Sequence, residues 1–236
     1  MRLEQQPAYV LHARAYRETS LLLECLTRDH GRIGVVARGV RRERAKLQRA
    51  QLEPFQPIAL DLLLRGELAT LRAAEPVGLP LRLAGDAGLA GLYINELVVR
   101  LTARQDPLPE LFEAYARTLG RLHANEPLAW TLRRFERDML EAIGYGLQLS
   151  FDGEHGEAID PDVNYRYEAE AGAIASGRDE RHTVRGEDLL ALGEDRCPEP
   201  NGLIALRRMM RQVIGFHLGG GELRAWRVLG QALTRR

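Results

Sequence analysis

Lysine is nearly missing from this chain: Lys46 is the only one in 236 residues, so 32 of the 33 basic side chains are arginine. A phosphate-binding P-loop needs a Gly-Lys pair, and Lys46 follows Ala45, which removes that nucleotide site in its usual form. Cysteine is almost as scarce. Cys25 and Cys197 lie 172 positions apart, too few for a disulfide framework and without the paired spacing of a zinc site. No apolar run approaches the ~20 residues of a membrane span, and the opening MRLEQQPAYV lacks the apolar core of a signal peptide. A soluble, cytoplasmic chain is expected. Gly-x-Ser-x-Gly surrounds none of Ser20, Ser150 and Ser176, and HExxH is absent, which leaves neither a hydrolase elbow nor a zincin helix. The acidic stretch with Asp152, Glu154, His155, Glu157, Asp160 and Asp162 fails the register of a calcium loop, because Gly156 and Glu157 fall at its fifth and sixth positions. No enzyme, metal or cofactor is therefore expected.

Charge of one sign is missing only in total. Residues 1–50 carry a net +6, residues 51–147 a net −3, residues 148–200 a net −9 and residues 201–236 a net +6. A formal charge of zero thus hides two basic ends around an acidic segment, a pattern that points to a polyanionic or acidic partner at the basic surfaces. With 45% apolar residues, the chain has enough to fill an ordinary core.

The periodicity changes along the chain. Residues 8–16, 20–28, 32–39, 55–65 and 68–75 are short and aliphatic, with turn-like breaks between them, and read as five strands. In the third, Ile33, Val35 and Ala37 alternate with Arg32, Gly34, Val36 and Arg38, so period two puts Arg32 and Arg38 on the face away from the core. In the first, Arg14 shares a face with His12 and Tyr16. Five strands with one longer basic connection fit a small barrel of OB type. After residue 80 the apolar spacing turns helical. The stripe Leu132, Phe135, Met139 and Ile143 stops at Gly144 and Gly146 in the way helices end. Helical patterns return at 186–194, 203–218 and 222–233, after a small β excursion. The expected fold is α+β: an N-terminal five-stranded OB-type barrel over 1–80, then an α-helical domain over 81–236 with a small β insertion at about 148–181.

The connection ARGVRRERAKLQRA packs six cations against one acid. It leaves a strand that already carries Arg32 and Arg38, in a barrel type whose open face takes single strands. Arginines along one barrel edge can neutralise successive phosphates. Arg14, Arg32, Arg38, Arg41, Arg42, Arg44, Lys46 and Arg49 are the expected nucleic-acid-binding residues. Few aromatics are interleaved, so backbone contact should outweigh base stacking. A protein scaffold that recognises acidic partners without a role on DNA is the alternative.

The stretches AYVLHARAYRETSLLLECLTRDHGRIGVVARGVRR, LEPFQPIALDLLLRGELATLRAAE, GLYINELVVRL, LFEAYARTLGRL, LRRFERDMLEAIGYGL and YRYEAEAGAIAS resemble, in collinear order, the RecO family of bacterial DNA repair and recombination mediators. That resemblance implies an OB domain that binds single- and double-stranded DNA and anneals complementary strands. It further implies that, with RecR, the protein helps load the recombinase onto DNA coated by single-strand DNA-binding protein, near the nucleoid and without covalent chemistry. Relatives with a four-cysteine zinc module carry it where this chain has no cysteine, so the insertion should fold without metal. The family also docks the acidic tail of single-strand DNA-binding protein on its helical domain. Such a tail needs an apolar pocket beside an arginine that can take its carboxylate, which Leu132, Arg133, Arg134, Phe135 and Met139 offer. Arg207, Arg208 and Arg211 form a second basic patch for tail or DNA.

Overall fold

The computed structural model describes residues 1–41, 49–78, 80–176 and 182–226. Alternating apolar residues build its first half. The strands β1 (Arg2–Tyr16), β2 (Ser20–Thr27), β3 (Gly31–Ala37), β4 (Pro57–Arg65) and β5 (Leu68–Pro76) close into a barrel in the order β1-β2-β3-β5-β4. Val10, Leu23, Cys25, Ile33, Val35, Leu60 and Leu62 fill the interior. Burial pushes the Cys25 thiol far above its ordinary value, with the charge of Glu24 adding to the effect, so the group behaves as a small apolar side chain. All pairings are antiparallel except β3 with β5, which runs parallel from Gly34↔Leu68 to Val36↔Thr70. This is the OB-type barrel expected from the sequence. Val40, just past β3, and Leu52, on the short 3-10 turn Arg49–Leu52, are buried in the same core. Both ends of the basic connection are therefore anchored.

β1 begins earlier than the alternation suggests. Gln5 has φ 49° and its N–H donates to Asp61 Oδ1 at 2.8 Å, while the pairing with β4 slips between Leu3 and Gln6. This bulge breaks period two in EQQP and hides six strand residues from a pattern search.

Contacts divide the chain into two compact units, residues 1–125 with 223–236 and residues 126–222. In the first, α1 (Gly85–Leu101) and α2 (Pro109–His123) accompany the barrel. Tyr9 points out of the barrel yet is buried, its ring 5.3 Å from that of Phe112 and 5.0 Å from that of Tyr115. Asn95 of α1 donates from Nδ2 to the Leu11 carbonyl at 2.8 Å and accepts from the Tyr115 hydroxyl at 2.6 Å. Burial, with the neighbouring Tyr9 in second place, holds the Tyr115 hydroxyl well above its ordinary value and keeps it a donor. Gly31 has φ +61°, and a Cβ there would lie 1.9 Å from the Asp106 carbonyl oxygen, so only glycine lets the β2–β3 turn meet the loop before α2. The chain returns to this unit at the buried Leu223, and Glu96 accepts the backbone N–H groups of Arg224 at 2.8 Å and Ala225 at 2.9 Å. The helix expected over 222–233 is helical at 224–226, and from 227 onward it lies outside the described residues.

The second unit holds α3 (Leu128–Ala142), β6 (Asn164–Glu168), β7 (Gly172–Ser176), β8 (Val184–Arg185), α4 (Gly186–Gly193) and α5 (Pro200–His217). The three strands form the sheet β7-β6-β8; β6 and β7 fall within the expected β excursion, and β8 lies just past its expected end. Tyr165 and Tyr167 of β6 are buried, and their hydroxyls accept the backbone N–H groups of Asp160 and Gln148, each at 2.9 Å. Burial pushes the Tyr167 hydroxyl up to about 12. Asp152 accepts three backbone N–H groups, from Glu154, His155 and Glu157, and these bonds, that of His155 foremost, hold its carboxyl below the usual range. Hydrogen bonds of this kind fix the acidic loop locally. Among the described residues no cluster of three His, Cys, Asp or Glu side chains could hold a metal ion, and no helix is long and apolar enough to cross a membrane.

Asn95 is the hinge pin of the first unit's polar interior. Asn95→Ala removes the bond to the Leu11 carbonyl and the bond from the Tyr115 hydroxyl, and a buried carbonyl left unpaired costs about 1–3 kcal/mol. Chemical denaturation should show a loss in that range, and adding Tyr115→Phe should cost less than its effect alone. Strict additivity would contradict the shared network.

Candidate nucleic-acid interface

The parallel pairing of β3 with β5 and the hairpin of β1 with β2 bring one outer face of the barrel together. Across four strands, Arg14 lies opposite Leu22, Leu22 opposite Val36, and Val36 opposite Thr70. Arg14 is exposed, and Leu22, Val36 and Thr70 are half-buried on that outer row. Two residues further along each parallel strand come Arg38 and Arg72, both exposed. Identical direction and parity put both arginines on the outer side at the same end of the barrel.

The chain leaving β3 is stitched to the β1–β2 turn at that end. The Arg41 backbone N–H donates to the Thr19 carbonyl at 3.0 Å, and its guanidinium reaches the Arg17 carbonyl at 3.4 Å. Arg17, with φ 54°, lays its guanidinium over the Tyr16 ring at 5.2 Å from the centroid. Arg14, Arg17, Arg38, Arg41 and Arg72 thus form a basic rim around one barrel end, with Glu18 the acid in the turn. Such a rim matches a phosphate backbone in charge and in its freedom from sequence. Arg42, Arg44 and Lys46 lie outside the described residues; Arg49 opens the 3-10 turn, and its side chain is outside them as well.

Arg17 and Arg72 escaped the sequence reading. Their signals were available, since Arg72 continues the alternation of Leu68 and Thr70 in LATLRAAE, and Arg17 occupies the RET turn.

Arg32 requires a correction. It does lie on the outer face, but its side chain is only 12% exposed. Its guanidinium donates to Glu24 Oε2 at 3.0 Å, to Thr102 Oγ1 at 3.2 Å and to the Thr102 carbonyl at 2.8 Å, and Arg104 also pairs with Glu24. That charge joins β2 and β3 to the end of α1 and is not offered to a phosphate.

The tail-binding set changes in the same way. Arg133 is 5% exposed and bonded through two guanidinium nitrogens to the buried Glu136, with Nε at 2.6 Å. Leu132, Phe135 and Met139 are buried as ordinary core. Arg134 holds Asp195 bidentately at 2.9 and 2.5 Å, with Glu126 at 3.7 Å and the Trp130 ring at 5.8 Å. Desolvation raises the Asp195 carboxyl, yet Arg134 and Arg137 outweigh it and hold the group below the usual range. The RRFE spacing places Glu136 three residues after Arg133, the signal from which their pairing could have been read. Arg207, Arg208 and Arg211 are exposed on α5, with Arg211 4.0 Å from Glu222.

Residues 1–80 match the family model described as Recombination protein O N terminal, and residues 82–227 match Recombination protein O C terminal. The junction of those models precedes α1, whereas the compact units part at residues 125 and 126. The chain is 48% identical over 241 residues to the DNA repair protein RecO of Xanthomonas oryzae pv. oryzae, covering all of both chains. It is 47% identical over 240 residues to the DNA repair protein RecO of Stenotrophomonas maltophilia, again over the whole of each.

Arg32→Ala and Arg133→Ala should register as losses of stability. Removing Arg133 takes two guanidinium hydrogen bonds from the buried Glu136, and breaking a buried ion pair is destabilising. Denaturation midpoints that match the unaltered protein would contradict the structural assignment of both.

Proposed function

Since the chain belongs to the RecO family of DNA repair proteins, we propose that it binds single- and double-stranded DNA through the basic rim of its barrel and anneals complementary strands. Arg14, Arg17, Arg38, Arg41 and Arg72 supply the rim, and Arg42, Arg44, Lys46 and Arg49 add positive charge to the same connection in sequence. The observation that supports this most directly is the bond between the Arg41 backbone and the Thr19 carbonyl, which draws the strand exit and the hairpin turn into one cationic edge. Each phosphate met by an arginine releases a counterion, so affinity is set by charge and falls with salt. Two strands whose phosphates are partly neutralised repel each other less, which favours annealing without any bond being broken. No catalytic residue, nucleotide or metal is needed.

With RecR, the protein helps load the recombinase onto DNA coated by single-strand DNA-binding protein, whose acidic tail is the third partner. Arg133 does not receive that tail, because its charge is already matched inside the unit. Arg207 and Arg208 are exposed on α5, and a guanidinium there can take a carboxylate bidentately.

Fluorescence anisotropy of a labelled oligonucleotide across a salt series tests the DNA assignment. Arg38→Glu with Arg41→Glu should weaken binding at least tenfold and reduce the slope of log affinity against log salt by about 0.7 for each single-strand phosphate that is no longer neutralised. Unchanged affinity and slope would sink the rim, and absence of both binding and annealing in the unaltered protein would favour a scaffold for acidic proteins. The same double variant should bind a synthetic acidic tail peptide as the parent does. Equal loss of peptide and DNA would show a single shared surface.

A further inference from the structure

Two helices of the second unit end in the same way, and each leaves a ring at the surface. At the end of α3 the Gly144 N–H donates to the Glu141 carbonyl at 3.0 Å and the Tyr145 N–H to the Leu140 carbonyl at 2.8 Å, with Gly144 at φ +84°. At the end of α5 the Gly219 N–H donates to the Phe216 carbonyl at 2.9 Å and the Gly220 N–H to the Gly215 carbonyl at 3.1 Å, with Gly219 at φ +63°. Both are Schellman closures, which fix the last turn and the residue that follows it. Such a closure usually tucks an apolar residue back against its helix. Here Tyr145, the residue after Gly144, is instead 52% exposed, and Phe216 in the last turn of α5 is equally exposed.

The rings form an ordered cluster. Tyr145 stacks on His217 with centroids 4.0 Å apart and planes 22° from parallel, and Phe216 meets His217 edge-on at 5.4 Å. Desolvation lowers the His217 imidazole below its ordinary value against the opposing pull of Glu170. Back along α5, Ile204, Arg208, Gln212 and Phe216 recur every fourth residue and are all exposed, with Arg207 and Arg211 beside them. At 1.5 Å per residue, Arg211 and Arg208 stand about 7 and 12 Å along the helix from Phe216. Glu222 lies 4.0 Å from Arg211, at the outer limit of an ion pair.

Flat rings at one end of a ridge and arginines along it sort the two halves of a nucleotide. A helix C-terminus carries partial negative charge and disfavours a phosphate beside the rings, while the guanidinium row attracts one. Bases tolerate an aromatic face whatever their identity. We propose that Tyr145, Phe216 and His217, with Arg208 and Arg211, are a second contact for single-stranded nucleic acid, one that takes unpaired bases by stacking. It rests on the DNA-binding function above and adds to it a site that distinguishes unpaired from paired strands.

The test uses the full chain and two labelled oligonucleotides of equal length and charge, one normal and one with abasic residues at its centre. Tyr145→Ala with Phe216→Ala should weaken binding of the normal strand about tenfold, the scale of one lost base stack, with the salt slope unchanged. Tyr145→Phe, which keeps the ring, should restore most of that loss when paired with native Phe216. The abasic strand should bind parent and double variant alike. A 5-iodouracil strand should crosslink to the peptides that contain Tyr145 or Phe216 and His217. Equal affinity of parent and double variant for the normal strand would overturn the stacking site, as would equal loss on both strands or crosslinks confined to the barrel. Loss of acidic-peptide binding alone would overturn it in favour of a peptide dock. A parent chain that binds neither strand would instead overturn the DNA assignment on which the site rests.

Discussion

Three residue pairs, Gly34↔Leu68, Val35↔Ala69 and Val36↔Thr70, make the only parallel seam in the barrel, and the rest of its surface follows from them. A parallel neighbour cannot be reached by a tight turn. The chain must leave β3 and return through β4 before β5 can close the sheet, which requires a connection between Ala37 and Pro57. That connection carries the basic run. The same seam sends β3 and β5 in one direction, so Arg38 and Arg72 emerge at one end, where the β1–β2 turn also lies.

The charge at this end differs from the charge counted along the chain. Arginine in this protein does two kinds of work, and exposure separates them. Arg32, Arg133 and Arg134 are matched by Glu24, Glu136 and Asp195 and tie elements together. Arg14, Arg17, Arg38 and Arg72 stand in water, where a polyanion can reach them. In the helical unit, the exposed arginines of α5 lie on the same helix as an ordered ring cluster. A formal charge of zero is thus compatible with strongly basic edges, because the acids are concentrated in residues 148–200 and several of the others are matched internally.

Much of the fold was legible in the sequence because it depends on local periods. Short aliphatic runs between turn-like breaks marked all five barrel strands, and the glycine after Ile143 marked the end of α3 where the structure has it. The early part of β1 was not legible, since the Gln5 bulge depends on Asp61, 56 residues away. For the interface, alternation told correctly which face Arg32 occupies but not what else shares it. Thr102 and Glu24 arrive from other elements, and no local pattern records them. Arg133 shows the converse, because its partner sits three residues on and only the assumption of an open pocket concealed it. Tyr145 and Phe216 read as helix ends in sequence, and the stacking of Tyr145 on His217 emerges only when the end of α3 meets α5 in space.

Hydrogen exchange of the full chain with and without a single-stranded oligonucleotide tests the central claim most directly, because it maps protection without altering any residue. Binding at the basic rim should slow exchange in residues 14–22 and 36–41, leaving the β2–β3 turn at residues 28–31 unchanged. Protection at that turn, with none around the hairpin and the exit from β3, would contradict the rim as the nucleic-acid interface.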